Sequence, residues 1–100
     1  IPPTIILRAG EPDQVFRWPQ DTIIPLRAEV RDDLRIDRVV FYHNGQEVGV
    51  RTDCHIAPEN CGFDWQITRT GTEIFTADVY DSVGNRSSAE IRVEVVRSGG

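Results

Sequence analysis

Three sets of residues in this 100-residue chain have the chemical types needed for covalent or metal chemistry. The first is Cys54, His55 and Cys61, soft ligands held in one short segment. A structural zinc site takes four such ligands, commonly about two to four residues apart. This segment offers three, with six residues between the cysteines and no second pair. The competing reading is a Cys54–Cys61 disulfide. The intervening residues are polar and contain Pro58, which does not suit the burial of free thiols. A bridge there closes a loop of about eight residues and is worth roughly 2–3 kcal/mol by loop-closure entropy. It also implies an oxidising compartment. Reduced thiols in a cytosolic protein are the alternative.

The second set is hydroxyl and imidazole. Nucleophilic catalysis needs a serine or cysteine beside a positioned base. Ser82, Ser87, Ser88 and Ser98 lie far in sequence from His43 and His55, and none sits in a Gly-x-Ser-x-Gly elbow. No catalytic residue is expected. The third set is Asp32, Asp33, Asp81 and Asn85, hard oxygen donors of the kind that hold calcium. The simpler reading has each acid capping its own turn. No cofactor is expected, and calcium is the one kept as a candidate.

The elements that must position these residues are strands. Leu26, Ala28 and Val30 alternate with Arg27, Glu29 and Arg31, the period-two pattern of a half-buried strand. Phe63, Trp65 and Ile67 make a second row, Phe75, Ala77 and Val79 a third, and Ile91, Val93 and Val95 a fourth. Thr4 to Arg8, after Pro2-Pro3, reads as an opening edge strand. No window has a helical period. Between Val39–His43 and Gln46–Val50 stands Asn44-Gly45, which supplies the two positive φ angles of a type I′ turn. Counting outward from that turn, His43 faces Gln46, Tyr42 faces Glu47, Phe41 faces Val48 and Val39 faces Val50. Phe41, Val48, Val39 and Val50 then share one buried face. With turn residues falling between short strands every 8–12 residues or so, the expected fold is an all-β, immunoglobulin-like Greek-key sandwich of about seven strands in two sheets. Residues 1–97 form its single domain and 98–100 a linker.

Three segments resemble the bacterial immunoglobulin-like modules carried in tandem by secreted and cell-surface proteins. They are Asp32-Asp33-Leu34-Arg35-Ile36 through Asn44-Gly45, then Phe63-Asp64-Trp65, and then Gly71-Thr72 leading to Asp81-Ser82-Val83-Gly84-Asn85. In that pattern Ile36 plugs the open end of the sandwich beside Asp32-Asp33. Two departures stand out: the Cys54 and Cys61 pair, and His43, where the pattern has an aliphatic residue. Neither cysteine lies on the strands that carry the inter-sheet disulfide of antibody domains. The resemblance implies an extracytoplasmic, non-catalytic module of a larger bacterial protein. The host would be a glycoside hydrolase, an adhesin or a penicillin-binding enzyme.

Composition agrees and excludes other classes. With 39% hydrophobic and 27% charged residues, the chain has the makeup of an ordinary folded domain. No segment is long and apolar enough to insert in a membrane. Eleven basic residues, all Arg, are scattered among sixteen acids for a net charge of −5, so nucleic acid is not an expected partner. Chain ends at Ile1-Pro2-Pro3 and Ser98-Gly99-Gly100 read as cuts through a longer polypeptide, making neighbouring domains the expected partners. The alternative is a protein- or glycan-binding module. Its surface would be the outward residues Val40, Tyr42 and Tyr80, flanked by Ile74 and Val96, as an exposed apolar patch. Trp18 is read as a lid on the end of the sandwich, with sugar stacking as the competing role.

Overall fold

A computed structural model describes residues 3–10, 15–31, 36–54 and 61–98. Among them are eight strands and no helix: β1 (Thr4–Ala9), β2 (Phe16–Trp18), β3 (Ile23–Arg31), β4 (Ile36–His43), β5 (Gln46–Arg51), β6 (Gly62–Gln66), β7 (Gly71–Asp81) and β8 (Arg86–Arg97). They form a three-stranded sheet, β1-β3-β6, and a five-stranded sheet, β2-β8-β7-β4-β5. All pairings are antiparallel except β2 with β8. The chain is an immunoglobulin-like β-sandwich.

The apolar rows of the sequence form the core between the sheets. β3 buries Ile24, Leu26 and Ala28 and turns Arg27 and Glu29 to solvent. β7 buries Phe75, Ala77 and Val79, with Val93 and Val95 of β8 beside them. Phe41 and Phe75 are fully buried, and each such side chain is worth about 1.5–3 kcal/mol of transfer free energy.

The Asn44-Gly45 turn forms as its residue types require, with φ of 48° at Asn44 and 87° at Gly45. His43 pairs with Gln46 and Tyr42 with Glu47. Beyond that point the register differs from simple counting. A bulge at Val48 makes Phe41 face Gly49, Val40 face Val50 and Val39 face Arg51. Val48 and Val50 are therefore exposed on the edge strand, and the single buried face expected for Phe41, Val48, Val39 and Val50 does not form. One extra residue reverses the facing of everything past it, because side chains alternate with a period of two.

A second irregularity in β4 falls between Ile36 and Arg38. Ile36 pairs with Asp81 and Arg38 with Tyr80, which leaves Asp37 as the extra residue. Ile36 thereby turns inward and joins the core beside Val39. Thr4 pairs with Arg31 at one pole of the sandwich, where β3 and β4 are joined by four residues. β8 ends at the opposite pole, where Val95 pairs with Gly71 and Ser98 donates its N–H to the Trp18 carbonyl at 2.8 Å. The body measures 52 × 23 × 20 Å.

Candidate functional site

Cys54 and Cys61 are joined as a disulfide, with Cα atoms 4.9 Å apart and both residues buried. Each sulfur is the partner of the other, so the pair has no thiolate to offer a metal. The Cys61 carbonyl accepts the Ala28 N–H at 2.7 Å, tying the bridge to β3. His55, the third member of the soft-ligand set, lies outside the described residues.

Asp32 and Asp33 also lie outside the described residues. Asp81 and Asn85 come together, and what they build is a turn. Asp81 Oδ1 accepts the N–H groups of Val83 at 3.0 Å and Asn85 at 2.8 Å. Its Oδ2 accepts Asn85 Nδ2 at 2.9 Å. The backbone closes the same loop through Asp81 N–H to the Asn85 carbonyl at 3.0 Å. Gly84 supplies the positive φ, 92°, that the turn needs. Among the described residues no group of three or more His, Cys, Asp or Glu converges as a metal site.

The outward residues of the large sheet are brought side by side, but not as an exposed apolar patch. Val40 sits opposite Val50 and Asp78 and is only 6% exposed, which corrects the expectation that it is open to solvent. Tyr42 and Tyr80 are half-buried. The Arg38 guanidinium stacks 4.0 Å from the centroid of the Tyr80 ring, so one face of that ring is already occupied. Ser88 Oγ donates to Asp78 Oδ1 at 2.5 Å on the same surface. The Tyr42 phenol is pushed above the usual tyrosine range, first by desolvation and then by Asp78, Tyr80 and Glu47. Polar contacts thus occupy the Asp78 and Tyr80 side of this face, while Val50, opposite Val40, is exposed. Ile74 is half-buried, while Val96 is exposed.

Trp18 lies on β2, three strands away from β4 in the sheet. Its ring packs against the core cluster, and the Arg97 guanidinium lies 5.7 Å from its centroid. Arg17 N–H and Asp21 Oδ2, 2.8 Å apart, brace the adjoining turn.

One cluster is absent from the sequence reading. His43 stacks on Trp65, with centroids 4.0 Å apart, and so joins β4 to β6 across the two sheets. Phe75 packs against both rings, tilted 5.2 Å from His43 and edge-on 5.7 Å from Trp65. Glu73 is buried beside them. Its Oε2 lies 3.1 Å from His43 Nε2, outside hydrogen-bonding angles, and its Oε1 accepts Arg69 Nη2 at 3.1 Å. Trp65 Nε1 is buried with no hydrogen-bond partner among the described residues. The signal was present in the alternation, since position 73 continues the inward row 75, 77 and 79. An acid at such a position needs partners, and Arg69 stands one helical-type spacing away in sequence yet on a turn.

These sites and sheets define a class by fold, the immunoglobulin-like sandwich with a five-stranded second sheet. No protein-family model matches the chain, and no curated protein matches it. Among solved structures it is similar to the fibronectin(III)-like modules of Clostridium thermocellum CbhA. That likeness has a TM-score of 0.72 at 18% identity and covers 96% of this chain and 100% of the other. At that identity it speaks to fold alone.

Proposed function

We propose that this chain is a non-catalytic structural module of a larger extracytoplasmic bacterial protein, of the bacterial immunoglobulin-like kind, and that it holds neighbouring domains apart. The observation that carries this reading is the polarity of the chain. β1 begins at one pole and β8 ends at the other, along a body 52 Å long and little more than 20 Å across. Domains attached before β1 and after β8 would be separated by the long axis. The Cys54–Cys61 bridge suits an oxidising compartment. The outer face of the large sheet supports a binding role less well, because Val40 is covered and Arg38 occupies Tyr80.

The test is an exchange within the full-length protein. Replacing the module by an unrelated sandwich of equal length should preserve the parent's activity, and replacing it by a short flexible linker should reduce it. Loss of activity in both exchanges would overturn the spacer reading and point to a specific surface.

A further inference from the structure

Asn44 and Gly45 have a second chemical property besides turn formation. Asn followed by Gly is the dipeptide in which the Gly backbone nitrogen most easily attacks the Asn side-chain carbon, because no Cβ at the second residue stands in the way. A bond forms between Gly45 N and Asn44 Cγ, the Cγ–Nδ2 bond breaks, and Nδ2 leaves as ammonia with the proton lost from Gly45 N. Solvent water then opens the five-membered imide at either carbonyl, giving aspartate or isoaspartate at position 44.

The fold places three obstacles before that reaction. Asn44 Oδ1 accepts the Ile74 N–H at 2.9 Å. Asn44 N–H donates to the Ile74 carbonyl at 2.8 Å. The first bond fixes the Asn44 side chain against β7 and the second its backbone. Ring closure also requires Gly45 N to swing alongside Asn44 Cβ, a ψ far from the roughly +30° of a type I′ turn. The φ values of 48° and 87° hold the dipeptide in that turn. Attack therefore requires the hairpin tip to leave β7 first, even though Asn44 and Gly45 are both exposed.

We infer that Asn44-Gly45 is a deamidation site gated by the fold, closed while Asn44 is clasped to Ile74 and open once the β4–β5 tip detaches. The isoaspartate product would add a methylene to the main chain inside a two-residue turn. Such a product could not restore the His43–Gln46 pairing. The modification would then be self-locking.

The experiment incubates the folded chain at mildly alkaline pH, native and in urea, and follows ammonia release and the mass of the peptide spanning position 44. Native protein should deamidate at Asn44 at least about tenfold more slowly than unfolded protein, as expected when reaction requires local opening. Equal rates in the two states would overturn the gate. A second arm uses Asn44→Gly, which keeps the left-handed turn but loses the acceptor, and Asn44→Asp, which keeps it. Hydrogen exchange at the Ile74 amide should quicken by about tenfold or more in Asn44→Gly and stay near native in Asn44→Asp. Unchanged exchange in Asn44→Gly would show that the clasp does not hold the tip, and the inference would fail.

Discussion

Gly62 on β6 lies flush against the backbone of Leu26 on β3, so closely that no other residue fits there. A Cβ added at Gly62 would run into the Leu26 carbonyl oxygen and lie 2.9 Å from Arg27 Cα. Both obstacles are main chain, which cannot rotate away. The neighbouring residue, Cys61, carries the disulfide and accepts the Ala28 N–H, so the strand is pinned immediately before the contact.

Gly62→Ala should therefore push β6 from β3 and cost about 1–3 kcal/mol, the range for strain at an overpacked site. Urea titration followed by tryptophan fluorescence measures it. A loss of less than about 0.5 kcal/mol, the scale of ordinary surface changes, would mean the two backbones stand further apart.

Removing the bridge tests loop closure. Cys54→Ser combined with Cys61→Ser should lower stability by roughly 2–3 kcal/mol, since the bonded residues are separated by 7 in sequence. For a domain of this size that is about 10–20 °C in Tm, readable by calorimetry. Thiol titration of the denatured, unreduced protein should find no free thiol.

Asp81 is 3% exposed and holds its turn through both carboxylate oxygens. Asp81→Ala leaves the Val83 and Asn85 N–H groups without that acceptor and should cost about 2–3 kcal/mol. Asp81→Asn keeps one acceptor and should cost less. Because the carboxylate serves its own turn, millimolar calcium is expected to leave Tm unchanged. A calcium-dependent rise that disappears in Asp81→Asn would support the cation reading.

Tyr42 gives the alkaline limb of stability a specific source. Its ionisation is pushed upward in the folded state by desolvation, then by Asp78, Tyr80 and Glu47. The stability tied to the neutral phenol is complete below the ordinary tyrosine value of about 10 and is lost as pH rises through the folded value. Tyr42→Phe should flatten the fall in stability above about pH 10. Denaturant midpoints measured across that range would show it, and an identical fall in both proteins would remove Tyr42 as the cause.

Much of the sandwich was legible in the residues themselves. The rows Leu26-Ala28, Phe75-Ala77-Val79 and Val93-Val95 are buried as their alternation required, because a strand's side chains must divide between two faces. Asn44-Gly45 specified its turn, because few other dipeptides tolerate two positive φ angles. The row that continues to Glu73 is equally visible in the alternation, but only the folded chain places His43, Trp65 and Arg69 around its acid.

What sequence could not decide were the two bulges and the contacts between sheets. Val48 and Asp37 became extra residues through the pairing of β4 with its neighbours on both sides, which no local propensity encodes. Val40 is buried where it pairs with Val50 on one side and Asp78 on the other, and Arg38 settled on Tyr80 across strands. Local residue types fix turns and alternation, because those depend on a few torsions and one period. Which faces stay open depends on how whole sheets pack, and only the tertiary structure carries that.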